Sequence, residues 1–419
     1  VGASPGVAAS ISVDGNMIVS GITTIGGVVN ASSDIKVGSG VTVGKDGDIF
    51  ATGVTTSSTV KVGGGVTISE SGIEASGIGI TVANINGGQI SGRRNIIING
   101  AMKVAQRGTS FTNQSEYTMD RFKSERSTDG AATITQSTTA PDGFKYSLKY
   151  DITTADTSLA SSQYAQITYR VEGQDLQLLA YGTSSAKPIT LSFYVRSNKT
   201  GNYNLAFEQP DNGDNISSHQ YTINSADTWE RKVITTAGDT SGVINDDDGA
   251  GLAIKWGLAY GSTYSSGSVT NQWAAQNNAN FGAGQDVNLF DSASNEFYIT
   301  GVQLEIGSQA TDFEYRSYGE ELALCQRYYL NAYSSYALSV DIEDASFPSV
   351  QFPVEMRSSP STTVYAANNG TADRMSRYGG AQCIVSSVGT STRGIKLIQH
   401  DSELAGRAWG FRYRVDAEL

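Results

Sequence analysis

The pattern of apolar and polar positions changes along the chain, and each regime predicts a different structure. Over residues 1–92, apolar residues come as short runs of Val and Ile with Thr between them, separated by Gly, Ser and Asp. Three passages share one order: "ISVDGNMIVSGITT" from Ile11, "VTVGKDGDIFATGVTT" from Val41 and "VTISESGIEASGIGIT" from Val66. Each predicts a short strand, a polar turn and a second short strand. β-Branched residues fit a pleated surface. The turns centre on Asp14-Gly15, Asp46-Gly47 and Ser71-Gly72, where glycine reaches positive φ without a steric penalty. The turns are 32 and then 25 residues apart, so the repeat is irregular. "IKVGSGVTV" from Ile35 and "VKVGGGVTI" from Val60 read as approaches to the second and third hairpins. A lone hairpin is marginal in water. Stacked repeats, and three chains about one axis, bury more of the Val and Ile surface. The prediction for 1–92 is a thin, repetitive, trimeric β-shaft, with a flexible Gly/Ser linker as the competing reading.

Residues 93–316 alternate with period two. Phe144, Tyr146, Leu148, Tyr150 and Ile152 form one such set; Ala165, Ile167, Tyr169 and Val171 another. Ile189 to Val195, and Tyr203, Leu205 and Phe207, continue the pattern. In "EFYITGVQLEIG" the phase shifts at Gly301, which predicts a bulge. Many half-buried strands between polar loops predict a jelly-roll β-sandwich. A helix is predicted over 317–330. Ser317 and Glu320 make a capping box, and Tyr318, Leu322, Cys325 and Tyr329 recur at helical spacing. Residues 331–419 read as a C-terminal distal β-sandwich. Val350, Phe352, Val354 and Met356 alternate around Pro353, which predicts an edge or bulged strand. In the last strand Trp409, Phe411, Tyr413 and Val415 share one face, with Arg412 and Arg414 on the other.

Composition sharpens the first boundary. Residues 1–92 hold 20 of the 47 glycines and one of the 38 aromatics, Phe50, too little bulk for a core of their own. The 29 basic and 41 acidic residues give −12, which argues against nucleic acid as a partner. No run of about 18 apolar residues predicts membrane insertion, and no signal peptide opens the chain. The first residue, Val1, suggests that the natural N-terminus was trimmed or lies upstream. Cys325 and Cys383 read as reduced, packed thiols.

Certain segments carry a resemblance. "RNIIINGAMKVAQRGTS", "YTMDRFK", "FYITGVQLEIGSQATDFEYRSYGEELALCQRYY" and "FPVEMRSSPSTT" are similar to the tail-fibre proteins of marine, short-tailed bacteriophages of cyanobacteria and related hosts. The resemblance covers about 93–360 by motif. It implies a homotrimeric fibre on the virion, made in the host cytoplasm and docked to other tail proteins through its N-terminal end. It also implies domains that resemble carbohydrate-binding modules and meet a host polysaccharide or lipopolysaccharide. A tail-attachment domain is not recognisable in this sequence.

The residues themselves suggest where a sugar binds. Aromatic faces stack on apolar ring faces, and amides and carboxylates read hydroxyls. The stretch around "KWGLAYGSTYSSGSVTNQWAAQNNANF" mixes both types, and supplies Tyr260, Tyr264, Trp273 and Asn277 as candidates. The distal region adds Tyr365, Asn368 and Tyr378. Trp256, Trp229 and Trp409 lie in strand patterns and read as core. Asp246, Asp247 and Asp248 read as a solvated acidic turn rather than a calcium loop, and no cofactor or metal is predicted. His219 and His400 have no nucleophile elbow beside them, so the chain is not read as an enzyme. A purely structural fibre or connector, and a polysaccharide depolymerase, are the alternatives.

Overall fold

A computed structural model describes residues 93–342, 345–348, 350–377, 380–401 and 408–419, and ahead of them the backbone of eight short strands. The chain divides into two compact units, Val1–Thr81 and Val82–Leu419. In the first, β1 (Ala9–Ile11) pairs antiparallel with β2 (Met17–Val19), Ile11 opposite Met17. β3 (Ile35–Val37), β4 (Val41–Val43) and β5 (Ile49–Ala51) form a three-stranded sheet, and β6 (Thr59–Val62), β7 (Val66–Ser69) and β8 (Gly72–Ala75) another. The phrase from Ile35 is therefore a strand pair in itself, Ile35 opposite Val43, rather than a lead-in. Its glycine-rich centre can reverse the chain as readily as Asp-Gly, so each later repeat has three strands, not two. The trimeric shaft expected here lies outside the described residues.

The second unit begins with a jelly-roll β-sandwich. One sheet runs β10 (Phe122–Arg126), β13 (Tyr164–Glu172), β18 (Ala250–Tyr260), β15 (Gly201–Gln209), β16 (Asn215–Ile223). The other runs β17 (Glu230–Thr236), β14 (Ile189–Ser197), β19 (Glu296–Ile306), β12 (Ser147–Thr154), β11 (Ala131–Ser137), β9 (Ser110–Thr112). The predicted alternating sets supply the core between them: Ile167, Tyr169, Leu205, Phe207 and Trp256 face Leu148, Tyr150, Leu191, Phe193, Phe297 and Leu304. Phe193 meets Trp256 edge-on at 5.9 Å across the gap. Each such buried side chain contributes roughly 1.5–3 kcal/mol.

The bulge predicted at Gly301 is present. Ser192 pairs with Gln303 and Tyr194 with Thr300, so Phe193 opposes two residues. Gly301 has φ 62°, and a Cβ there would stand 2.7 Å from the Phe144 ring. Trp229 departs from its predicted core place. It is half-buried on the outside, edge-on to Tyr298 at 6.1 Å, because β17 is an edge strand with no neighbour beyond it.

The segments that carry the sequence resemblance fold onto one another. The Glu314 carboxylate accepts from the Arg94 and Asn95 amides at 2.8 and 2.7 Å. Glu321 accepts from the Asn99 amide at 2.5 Å. Their role is to tie residues 93–104 to the helix α1 that spans Tyr318–Gln326. That helix has the predicted capping box at Ser317 and Glu320. Its inward face differs from the prediction: Tyr318 is exposed and Glu321 is buried beside Cys325. Glu321 takes the inward position because Asn99 and Arg316 satisfy its carboxylate there. The chain turns to strand at Tyr329, so that residue packs from the next element.

The C-terminal region is an eight-stranded antiparallel sheet of β20 (Tyr329–Ile342), β21 (Ala345–Pro348), β22 (Val350–Gln351), β23 (Ser361–Ala366), β24 (Arg374–Ser376), β25 (Gln382–Ser391), β26 (Gly394–His400) and β27 (Ala408–Asp416). β20 pairs with both β21 and β27, so the sheet folds round a second core that includes Met356, Val364, Ile398, Trp409, Phe411 and Val415. The strand predicted around Pro353 stops at Gln351. Pro353 has no N–H for a ladder. Phe352 and Met356 still turn inward, donating instead to the Arg393 and Thr392 carbonyls at 2.9 and 2.8 Å.

Charged contacts join the two cores. Arg327 donates twice to Glu172, at 2.9 and 2.7 Å. Arg107 reaches Asp416 at 2.8 Å, and Arg121 pairs with Glu418.

Candidate functional site

The outer face of the five-stranded sheet carries the polar half of the alternation. Register places Glu125 opposite Gln166, Thr168 opposite Lys255, and Ala253 opposite Glu208, so these side chains share that face. The loop after β18 then runs along the β16 edge, where Ile216 and Ala274 exchange backbone bonds at 2.9 Å. It turns back over the sheet at Phe281, which packs on Ala206 and Ile216 with Tyr264 beside them. Between sheet and loop lies a cavity of about 230 Å³, lined by Glu125, Tyr164, Gln166, Lys255, Tyr260 and Tyr264, among others. That is smaller than the ~300–1,000 Å³ of drug-sized sites, and suits a single small polar ligand.

Three tyrosines form one wall. Tyr164 meets Tyr264 edge-on at 5.3 Å, and Tyr260 lies 6.2 Å from Tyr264. Tyr260 is held on both sides. Its hydroxyl donates to Gln166 Oε1 at 2.7 Å. Its ring rests against Gly257 and Gly282, where a Cβ would come within 2.3 Å of it. Burial pushes the phenols of Tyr164 and Tyr260 above their ordinary range, so both remain protonated donors at neutral pH.

The carboxylates are organised rather than free. Burial pushes the Glu125 carboxyl up, but Arg170 at 3.0 Å, with hydrogen bonds from Gln166 and Thr168, outweighs it and brings it down to about 2. Glu208 pairs with Lys255 at 2.7 Å. Lys255 Nζ also sits 4.3 Å from the Phe281 ring centre. The site thus offers fixed aromatic surface, fixed charges and the exposed amides of Gln276 and Asn278 at its rim.

Of the residues predicted from sequence, Tyr260 and Tyr264 meet in this cavity. Trp273 turns the other way. Its ring packs edge-on to Tyr181 at 5.7 Å and its Nε1 donates to the Ala237 carbonyl at 2.9 Å, closing the sandwich edge between β16 and β17. Asn277 caps a short turn by accepting from the Ala279 amide, while Gln276 and Asn278 on either side line the cavity. Tyr365 and Asn368 belong to a separate place on the C-terminal sheet. There Tyr365 stands edge-on to Tyr333 at 5.1 Å, and Gln382 bridges Asn368 and Asn369 at 2.9 and 2.8 Å. Tyr378 lies outside the described residues. Asp246, Asp247 and Asp248 lie on an exposed turn, with Asp247 accepting from the Gly249 amide at 2.8 Å.

Glu125, Tyr164, Gln166, Glu208 and Lys255 were not anticipated. Each is a polar or amphipathic residue in an alternating strand, a pattern shared by any solvated sheet face. Strand register brings them together.

No protein-family model matches the chain, and no curated protein matches it. Several solved structures are similar. The enzymatically active domain of the bacteriophage CBA120 tailspike protein 4 has TM-score 0.28 and 11% identity, over 51% of this chain and 21% of that one. The chain thus spans about a fifth of that tailspike domain. A family 11 carbohydrate-binding module of Clostridium thermocellum has TM-score 0.26 and 12% identity, over 48% of this chain and 96% of the module. The module TmCBM61, solved with β-1,4-galactotriose, has TM-score 0.25 and 11% identity, over 51% of this chain and 99% of the module.

Proposed function

We propose that this chain is a bacteriophage tail fibre of the virion that binds a glycan on the host surface through the outer face of its five-stranded sheet. The observation that carries the binding part is the cavity itself. Tyrosine rings, pinned carboxylates, an ammonium and the amides of Gln276 and Asn278, which bond to each other at 3.2 Å, converge there on a space for a single small polar ligand, the mixture that saccharide hydroxyls and ring faces require. The fibre part is supported by the resemblance of residues 93–360 to short-tailed phage fibres and by the repeated short strands of the first unit. On this reading the fibre is a homotrimer, made in the host cytoplasm and joined to other tail proteins by its N-terminal end.

On this reading the site binds a glycan and does not cleave it. A glycosidase needs one carboxyl held protonated as its general acid. Glu125 is driven the opposite way by Arg170. The test is adsorption of the fluorescently labelled full chain to host cells and to arrayed host polysaccharide. The chain should bind both, leave the polysaccharide at its original length, and lose roughly tenfold in affinity as Tyr264→Ala. Unchanged adsorption by Tyr264→Ala removes this cavity as the site. Shortened polysaccharide favours a depolymerase.

A further inference from the structure

Resting on the glycan reading above, we infer that the cavity selects an uncharged saccharide and reads two neighbouring hydroxyls with the Glu208–Lys255 pair. The two side chains are 12% and 13% exposed and meet at 2.7 Å through Glu208 Oε2 and Lys255 Nζ. The contact uses one of the two carboxylate oxygens and one of the three ammonium donors. An acceptor and a donor therefore stand side by side at the cavity wall. Vicinal hydroxyls match that arrangement: one donates to the carboxylate and the other accepts from the ammonium.

The pair is fixed by backbone. Glu208 sits on β15 and Lys255 on the adjoining β18, with Ala206 directly opposite Lys255. Phe281, itself buried against Ala206, holds the ammonium from the loop side. A diol reader must keep this spacing through binding, and two paired strands supply it.

Charge decides against acidic sugars. Two carboxylates, Glu125 and Glu208, line the cavity against one ammonium, Lys255. Arg170, whose Nη2 meets Glu125 at 3.0 Å, is not among the residues that line the cavity. Lys123 also leans on Glu125, at 3.4 Å. A uronate would meet Glu125 and Glu208 with only the Lys255 ammonium beside them in the lining, and like charges juxtaposed at a recognition site are disfavoured. A neutral sugar leaves every ion pair intact.

Calorimetric titration of the full chain with paired trisaccharides tests this. The probes are cellotriose, galactotriose and xylotriose, the triuronates of the first two, and the triamine of glucosamine. At least one neutral trisaccharide should bind, with any uronate partner at least tenfold weaker. Its affinity should change little between about 50 and 500 mM NaCl, because no net charge is transferred. Glu208→Gln and Lys255→Met should each lose roughly tenfold to a hundredfold, as for a charged hydrogen-bond partner. Glu208→Gln should also narrow the gap between neutral sugar and uronate. A uronate or the triamine binding as tightly as the neutral sugars overturns the inference and leaves the glycan site standing. Binding of no saccharide overturns the glycan reading itself. The neutral-to-uronate ratio is read on the unmodified chain, so a variant that fails to fold does not blunt the test.

Discussion

Removing the Glu418 carboxylate should destabilise the second unit more than removing Glu418 and Arg121 together. Arg121 and Glu418 have side chains 1% and 4% exposed and form an ion pair between the sandwich and the chain's last residues. The guanidinium has further contacts: a hydrogen bond to the Arg170 carbonyl, and the Tyr328 ring with its centre 3.4 Å away. Arg121 also holds φ at 71°, a left-handed conformation that costs a non-glycine residue roughly 1–2 kcal/mol. Its partners hold it there. Glu418→Ala leaves a buried guanidinium without its counter-charge, which costs about 3–5 kcal/mol. In Arg121→Met/Glu418→Ala the Arg121 charge is gone, Arg107, which also reaches Glu418 at 3.5 Å, keeps Asp416 at 2.8 Å, and the apolar methionine still lies against Tyr328 and Tyr169. Such replacements of buried pairs are often close to neutral. The assay is urea unfolding of the full chain, followed by circular dichroism and tryptophan fluorescence, since Trp256 lies in the first core and Trp409 in the second. The expected order of stability is native, then the double variant, then Glu418→Ala. If Glu418→Ala falls within about 1 kcal/mol of the native chain, the pair behaves like a surface contact. If the double variant is the least stable, the buried-charge argument fails.

Trp273→Ala should cost about 2–4 kcal/mol of stability, somewhat less than a fully buried tryptophan, with no change in the glycan affinity of the folded protein. Loss of binding at unchanged stability would return Trp273 to the site. The buried His219, hydrogen-bonded to Ser217 at 2.9 Å, predicts an acid-labile sandwich. Burial lowers its pKa from 6.5 to about 4, so the folded state favours the neutral ring. That stabilisation is full above pH 6.5, declines as the pH falls, and is lost below about 4. At ~1.36 kcal/mol per unit it amounts to roughly 3 kcal/mol. Urea midpoints at pH 7 and pH 4 should converge in His219→Gln; an unchanged pH dependence would assign the acid lability to other groups.

Much of the fold was legible because its signals are local. Alternation over Ile189–Val195 or Tyr203–Phe207 depends on the two-residue period of a strand, and those positions are the ones buried. The Gly301 bulge and the Ser317 cap rest on backbone needs that one or two residues reveal. Errors arose where a neighbour distant in the chain changed the outcome. Glu321 displaced Tyr318 from the inward face of the helix because Asn99 and Arg316 reach it. Trp273 was drawn to Tyr181 and Ala237, away from the polar loop that made it look like a binding residue.

The candidate site divides in the same way. Tyr260 and Tyr264 could be chosen from sequence because they lie in or beside an amide-rich polar loop, where an aromatic is less committed to a core. The floor beneath them could not. Glu125, Gln166, Glu208 and Lys255 come from four strands as far apart in sequence as Glu125 and Lys255, and singly each reads as a solvated polar position. Which side of each strand faces water could be read from the residues, since a period of two follows from the covalent geometry of the chain. Which of those outward residues meet depends on how the strands are ordered and aligned. Strand order and register are settled by burial of the opposite face, and the outward partners follow from that choice.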